Sequence, residues 1–165
     1  MKVALFGGTG FVGSYIVDEL VSREHQPRLM VRPGSEGKVP KPEYCETVSG
    51  DIHDDYAIRE TLYDCDAAIY LIAVIREFPK EGITNELLQF RGAQRVANIA
   101  LEVGVKRFLL MSALGTSCGP GASKYFKAKH LAEQVVKNTE LSWTILQPSS
   151  IFGDPRGFGR PEFCT

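Results

Sequence analysis

Tyr125 and Lys129 are the residues of this chain whose types and spacing best suit acid–base chemistry. They are four positions apart, so a helix places both side chains on one face, a single turn apart. A lysine cation at that distance favours the phenolate form of tyrosine, and such a phenol can give or take a proton at a carbonyl or alcohol oxygen. The pattern is short and the chain contains six tyrosines, so chance remains a rival explanation.

The position of this pair along the chain supports a functional interpretation. The pair begins a helix predicted over residues 124–138, which follows the fifth predicted strand at the carboxyl edge of a parallel sheet, where ligands bind. Ser112, in FLLMSALG at the end of that strand, lies at the same edge. Its hydroxyl could hydrogen-bond a reacting oxygen, and a role as a capping or loop serine is equally compatible with its position.

A glycine-rich loop follows the first predicted strand, residues 3–6, and precedes a helix predicted over residues 11–23. Gly7, Gly10 and Gly13 have the spacing G-x-x-G-x-x-G. Glycine at such positions permits a tight turn, close approach of the backbone to a pyrophosphate, and close packing of the helix on the sheet. The N–H groups that open the helix then bind phosphate oxygens. In this context a dinucleotide cradle is favoured over a merely structural turn.

The residues after the second, third and fourth strands suggest how the cofactor is held. Many such folds carry an acid at the end of the second strand, where it binds the ribose hydroxyls, but here LMVRPGS places Arg32 at that position. A guanidinium suits a 2′-phosphate, so Arg32 predicts a preference for NADP(H) with NAD(H) still possible, unless the arginine is only a solvated side chain. Asp51 could accept from the adenine amino group, with Ile52 covering the ring, or Asp51 could cap a helix. Ile72 and Ala73 are predicted to lie beside the cofactor.

Short apolar runs alternate with longer amphipathic stretches, and this predicts a parallel sheet with crossover helices. Strands are predicted over residues 3–6, 28–31, 46–48, 67–72, 107–111 and 144–146, and helices over residues 11–23, 55–63, 84–103 and 124–138. Right-handed crossovers then give an α/β doubly wound Rossmann fold with six strands in the order 3-2-1-4-5-6. Residues 1–153 form this NAD(P)-binding domain, and residues 154–165 form a Gly- and Pro-rich tail.

The overall composition excludes several classes of protein. With 44% hydrophobic and 24% charged residues and a net charge of −1, the chain is neither disordered nor a basic nucleic-acid binder. It has no apolar stretch long enough to span a membrane and no secretory leader pattern. Cys45, Cys65, Cys118 and Cys164 are widely spaced, without histidines at metal-ligand spacing, which predicts reduced thiols, no metal site and a cytoplasmic location.

Several of these segments together resemble those of atypical extended short-chain dehydrogenases/reductases, in particular the group related to the NADPH-binding accessory subunit of respiratory complex I. The matching segments, over about residues 1–153, are GGTGFVG, GDIHD, LIAVIRE, VKRFLLMSALG, the Tyr125/Lys129 pair and WTILQPSSIFG. The resemblance implies a Rossmann fold with Tyr125 and Lys129 at the nicotinamide and its ribose. It also implies cofactor contacts from Gly7, Gly10, Phe11, Val12, Arg32, Asp51 and Ile52, and from Pro148 and Ile151 near the nicotinamide.

The sequence departs from this family in two respects. Catalytic members carry the pattern NVxGT on the long helix, and here QFRGA places Gln89 at the Asn position and Ala93 at the Thr position. Extended members also continue into a domain that builds the substrate pocket. We therefore expect this chain to be an N-terminal portion or a truncated product that lacks most of the substrate-selecting region.

Three functions follow as hypotheses. The first is an NADPH-dependent oxidoreductase, or an epimerase or dehydratase, with Tyr125 as acid–base group and an unknown small molecule as substrate. The second is a non-catalytic NADPH-binding module that stabilises a respiratory-type assembly, and the third is a regulator that senses NADPH. Retention of Tyr125 and Lys129 favours the first, whereas Gln89 and the missing substrate region favour the other two. For this chain by itself we expect cofactor binding at most.

Overall fold

Residues 1–154, which a computed structural model describes, contain a six-stranded parallel sheet in the order β3-β2-β1-β4-β5-β6. The strands are β1 Lys2–Phe6, β2 Gln26–Val31, β3 Glu46–Ser49, β4 Ala67–Tyr70, β5 Arg107–Met111 and β6 Ser142–Leu146. The helices are α1 Phe11–Ser22, α2 Asp55–Leu62, a π-helical segment Glu86–Arg91 that runs into α3 Gly92–Glu102, and α4 Lys124–Lys137. The predicted α/β Rossmann fold and strand order are confirmed.

Residues 3–6 of β1 and all of β4, at the centre of the sheet, are buried on both faces because helices pack against each face. One core cluster packs Val17 of α1 against Leu5 and Leu29. The other packs α2, α3 and α4 against the opposite face, where Phe6 and Phe108 lie. A central parallel strand covered on both sides has no polar face, which is why β1 is an uninterrupted apolar run rather than an alternating one.

Several predicted elements differ from the structure. The second and sixth strands begin two residues earlier than predicted, at Gln26 and Ser142. The fourth strand ends at Tyr70 instead of continuing to residue 72, because the chain leaves the sheet after the Leu71 N–H donates to the Phe6 carbonyl. The single helix predicted over residues 84–103 consists of the π-helical segment followed by α3. Apolar periodicity does not distinguish these two kinds of helical turn over six residues, so the change from π-helix to α-helix could not be predicted from the pattern.

The π-helical segment is tied to the sheet by a buried tyrosine. The Tyr70 hydroxyl donates to the Leu88 carbonyl. Burial raises the pKa of Tyr70 above its usual range, so the hydroxyl keeps the proton that it donates. Gly92 lies directly against this hydroxyl, and a Cβ at that position would overlap it. The close approach of helix and strand therefore depends on a glycine that faces a tyrosine.

Residues 155–165 lie outside the described residues, and with them most of the predicted 154–165 tail and Cys164. The other three cysteines, Cys45, Cys65 and Cys118, are free thiols. Burial raises the pKa of both Cys45 and Cys65 to about 11, so these two thiols are protonated near neutral pH. Over residues 1–154, no helix has the length and apolar character needed to cross a membrane.

Replacing Tyr70 by Phe removes the hydrogen bond to Leu88 while keeping the ring. We expect the free energy of unfolding to fall by about 1–3 kcal/mol, because a buried carbonyl loses its hydroxyl donor. Urea denaturation measures this change. Tyr56→Phe is the control, since the Tyr56 side chain is exposed. Equal stabilities of the two variants would contradict a role for the Tyr70 hydroxyl in holding the π-helical segment.

Candidate functional site

The glycine loop turns tightly between β1 and α1. Gly7 has a φ of +97°, a backbone conformation that side chains rarely adopt, and its carbonyl accepts from the Gly10 N–H at 3.1 Å. A Cβ on Gly13 would overlap the Gly7 carbonyl oxygen, so the helix rests against the loop only because this residue is glycine. No side chain caps α1 at Gly10. The first-turn N–H groups of α1 are thus not engaged by a capping side chain, and the loop suits a pyrophosphate.

A cavity of about 700 Å³ joins this loop to the carboxyl ends of β4, β5 and β6. Its volume and its mixture of backbone, polar and apolar groups are typical of a small-molecule or cofactor site. The predicted site residues that line it are Gly7, Gly10, Phe11, Val12, Gly13, Ala73, Ser112, Tyr125, Lys129, Pro148 and Ile151. Four others lie outside its lining: Arg32, Asp51, Ile52 and Ile72.

Arg32 and Asp51 follow two neighbouring strands at the same edge of the sheet. The two strand ends are tied together, because the Gly50 N–H donates to the Val31 carbonyl at 3.0 Å. Arg32 is exposed, and its guanidinium forms no hydrogen bond or ion pair within residues 1–154. Asp51 accepts from the His53 N–H at 3.1 Å. The helix-capping role belongs to Asp54, whose carboxylate accepts from the first-turn N–H groups of α2.

Ile52 and Ile72 both contribute to the core. The Ile52 side chain is almost fully buried and lies beside Gly92. Ile72 is partly buried and packs against the same core cluster. Any contact of these two residues with a ligand at the sheet edge would therefore involve mainly their backbone or a small part of the side chain.

Helix α4 holds the predicted acid–base pair. Ser123 caps it by accepting from the Phe126 N–H, which starts the helix so that Tyr125 lies in its first turn. Lys129 is one turn further along, only 2% exposed, and its Nζ donates to the Met111 carbonyl at 2.6 Å. The same Nζ lies 6.0 Å from the centroid of the Tyr125 ring. The end of β5 therefore fixes the lysine, and the lysine places a positive charge beside the tyrosine.

Sequence reasoning missed Glu133, a further buried charge on this helix face. Its Oε1 accepts from the Ser112 hydroxyl, from Thr116 Oγ1 at 2.9 Å and from Gln147 Nε2 at 2.8 Å, and its Oε2 faces Lys137 Nζ at 3.5 Å. Burial raises the pKa of this carboxyl, but the three hydrogen bonds and the Lys137 charge outweigh burial and hold it below the usual range. The sequence feature that could have pointed to Glu133 is its position one helical turn after Lys129 on the same helix face.

Glu133 also determines the direction in which the Ser112 hydroxyl points. An ionised carboxylate only accepts hydrogen bonds, so the Ser112 hydroxyl donates its proton to Glu133. The Ser112 N–H in turn donates to the Leu146 carbonyl at 2.7 Å. Ser112 therefore lines the cavity with its proton directed toward α4.

The segment after β6 closes one side of the cavity. The Leu114 N–H donates to the Pro148 carbonyl at 2.8 Å, which joins the loops that follow β5 and β6. Further along, the Tyr15 hydroxyl donates to the Asp154 carbonyl at 2.9 Å. These bonds tie the segment that carries Pro148 and Ile151 to the loop after β5 and to α1.

Gln89, at the family's Asn position, is buried in the π-helical segment and does not line the cavity. Its Nε2 donates to Asn85 Oδ1, while its Oε1 has no hydrogen-bond partner among the described residues. The Asn85 N–H donates to Glu77, which also pairs with Lys124 Nζ at 3.0 Å. The hydrogen bond from the Asn85 N–H and then the Lys124 contact hold the pKa of Glu77 below its usual range. Through these contacts the π-helical segment is connected to the start of α4.

Metal binding has no structural support in the part of the chain that the structure describes. No group of three or more His, Cys, Asp or Glu side chains is arranged to hold a metal ion within residues 1–154.

Replacing Glu133 by Gln keeps an oxygen that can accept from Ser112 and removes the negative charge. A carboxyl whose pKa is lowered by folding stabilises the native state above the unfolded value, near 4.5, and this contribution is lost as the pH falls through the folded value. We expect the wild type to exceed Glu133→Gln in free energy of unfolding near neutral pH, and the difference to shrink below the unfolded value.

Urea denaturation over a range of pH measures this difference, with Glu140→Gln as the control because Glu140 is exposed. A difference between wild type and Glu133→Gln that stays constant from neutral to acidic pH would show that the carboxylate charge is not the stabilising feature.

Comparison with known proteins agrees with this geometry. The model of a family described as NAD(P)H-binding matches residues 7–160. The mitochondrial NADH-ubiquinone oxidoreductase 40 kDa subunit of Neurospora crassa is 28% identical over 160 residues, which cover 90% of this chain and 40% of that protein. A ceramide reductase of Caulobacter vibrioides is 30% identical over 151 residues, covering 92% of this chain and 46% of the reductase. The chain thus spans less than half the length of these relatives.

A solved structure gives the same picture. The putative NAD-dependent epimerase/dehydratase from Bacillus halodurans superposes with a TM-score of 0.77 at 25% identity, covering 93% of this chain and 72% of that one. The resemblance expected from the sequence is confirmed. The chain belongs to the NAD(P)H-binding family, within the Rossmann-fold proteins of the short-chain dehydrogenase/reductase and epimerase type.

Proposed function

We propose that this chain binds NADP(H) in its cavity and takes part in reduction of a carbonyl group or oxidation of an alcohol, with Tyr125 as the acid–base group. The observation that carries the proposal is that one cavity holds both the glycine loop and the Tyr125/Lys129 pair. A pyrophosphate at the loop and a reactive ring near Tyr125 are the middle and one end of an elongated dinucleotide, whose adenosine half would extend from the loop toward Arg32 and Asp51. That arrangement suits a dinucleotide better than a mononucleotide or an inorganic anion.

The preference for NADP(H) rests on Arg32. Arg32 directly follows β2, and its side chain is exposed. β2 pairs with β1, the strand that leads into the glycine loop and α1. A guanidinium forms paired hydrogen bonds with phosphate oxygens, whereas a ribose hydroxyl is better served by a carboxylate. Asp51, at the end of the adjacent strand, remains available for the adenine amino group.

The proposed chemistry divides between the cofactor and two side chains. A bound nicotinamide dinucleotide supplies or takes up a hydride at the reacting carbon. In the reductive direction Tyr125 gives its phenolic proton to the carbonyl oxygen, and the product is the alcohol. Lys129 stabilises the resulting phenolate with its positive charge. Because the Met111 carbonyl holds Lys129 Nζ, that charge needs little rearrangement during the reaction.

Binding without turnover is a second candidate, and Ser112 favours it. A serine that polarises a substrate carbonyl must donate its proton to that carbonyl, whereas the Ser112 hydroxyl donates to Glu133. The Neurospora relative is a subunit of NADH-ubiquinone oxidoreductase, so a cofactor-binding role within a larger respiratory assembly is consistent with the family. In this candidate Tyr125 and Lys129 bind the cofactor and transfer no proton.

Replacing Arg32 by Gln tests the cofactor preference. We expect the dissociation constant for NADPH to rise by about tenfold or more, because a charge-assisted contact with phosphate is lost, and the constant for NADH to change little. Titration monitored by NADPH and NADH fluorescence gives both constants. Arg23→Gln is the matched control, because Arg23 is an exposed arginine at the other end of α1. Equal wild-type affinity for NADPH and NADH would rule out the preference.

Replacing Tyr125 by Phe separates catalysis from binding. If Tyr125 is the acid–base group, turnover of NADPH with a panel of quinones, ketones and sugar nucleotides falls by a factor of about 10²–10⁴, while NADPH affinity stays nearly constant. Tyr44→Phe, at an exposed tyrosine, serves as the control. NADPH binding by the wild type with no turnover of any compound would instead support the second candidate.

A further inference from the structure

The part of the cavity beyond the glycine loop is lined by apolar side chains. Ile75, Leu114 and Ile151 form what we call the apolar rim, and each comes from the segment that follows a different strand, β4, β5 or β6. They are 50%, 61% and 36% exposed. Exposure of three large apolar side chains in one cavity to water is unfavourable, so an apolar ligand that covers them would be stabilised. Leu71, Met111 and Phe126 continue this lining inward.

The one charged side chain and one of the serines in this lining are engaged by the protein itself, and Ser149 and Ser150 add two further hydroxyls. Lys129 is the one charged residue in the lining formed by residues 1–154, and its Nζ donates to the Met111 carbonyl. The Ser112 hydroxyl donates to Glu133. Lys124 pairs with Glu77 outside the cavity lining. A nucleotide sugar carries a diphosphate, which needs arginine, lysine or open N–H groups at its own subsite, and this lining offers no further cation.

We infer that the molecule which binds beside Tyr125 is a carbonyl compound or alcohol with an apolar body, whose alkyl or ring portion lies against the apolar rim. A nucleotide sugar does not fit this lining. The inference rests on the proposed function for the meaning of Tyr125, and it adds the class of substrate. A small ligand is favoured over a protein partner because the rim residues line the same cavity as Tyr125 and Lys129.

Binding of a homologous series of methyl ketones, from 2-hexanone to 2-decanone, tests the inference. Isothermal titration calorimetry is run on the chain alone and on the chain saturated with NADPH, with UDP-glucose as the competing class. We expect the dissociation constant to fall by up to about fourfold for each added methylene that becomes buried. UDP-glucose is expected to show no binding at millimolar concentration.

Two rim variants and a matched control locate the binding site. Ile75→Asp and Leu114→Asp place a charge on exposed positions, so folding should tolerate them. We expect each to raise the dissociation constant of 2-decanone by about tenfold or more, because a charged group must lose water next to the alkyl chain, and to leave the NADPH constant within about twofold. Leu101→Asp is the control, since Leu101 is 45% exposed on α3 and does not line the cavity.

Several outcomes would overturn the inference. They are ketone affinities that do not depend on chain length, UDP-glucose binding as strong as that of 2-decanone, and an equal loss of affinity in Leu101→Asp. Sedimentation velocity tests one more contradicting outcome. If the wild-type chain self-associates and the rim variants abolish this association without changing ketone binding, the rim is a protein interface. If NADPH does not bind, the proposed function fails, while the ketone series on the chain alone still decides whether the rim binds apolar carbonyl compounds.

Discussion

The geometry of the candidate site depends on how α4 is attached to the end of β5. Two charged side chains one helical turn apart, Lys129 and Glu133, bind two consecutive residues of the β5 end, Met111 through its carbonyl and Ser112 through its hydroxyl. Both charges are buried, and a buried charge is tolerated only where its hydrogen bonds are satisfied. Displacing α4 from the strand would break contacts to both charges at once, so the helix has one favourable position.

Glu133 extends this attachment to the loops. Its Oε1 joins Thr116, in the segment after β5, to Gln147, directly after β6, while the backbone bond from Leu114 to Pro148 links the same two segments. The segments after β5 and β6 are therefore joined both by a buried carboxylate and by a backbone hydrogen bond. Tyr125 and the apolar rim are placed relative to each other by this common anchor, although they belong to different segments of the chain.

The π-helical segment before α3 depends on a second buried hydroxyl. Tyr70, at the end of β4, holds the π-helical segment, and Gly92 provides the space for it. The same segment carries Asn85 and Gln89, whose contacts run through Glu77 to Lys124 at the start of α4. The support of α4 from β5 uses polar side chains buried beneath the helix, where water does not compete for their hydrogen bonds. The support from the π-helical segment ends in the Glu77–Lys124 ion pair, in which the Lys124 side chain is 79% exposed.

The amino-acid sequence by itself determined the strand order, the glycine loop and the shared helix face of Tyr125 and Lys129. Each depends on spacing along the chain: apolar runs separated by crossover lengths, glycines three apart, and a four-residue step within one helix. Tertiary structure alone decided the roles of Glu133 and Tyr70 and the split of the long helix. The hydrogen-bond partners Ser112 and Gln147 of Glu133 are 21 and 14 residues away in sequence, and the partner of Tyr70 is 18 residues away. Such partners meet only when strand and helix pack together. The tertiary structure also decided that Arg32 is exposed whereas Ile52 is buried. The local sequence pattern places both residues after the ends of strands, but packing determines which side chains remain in contact with water.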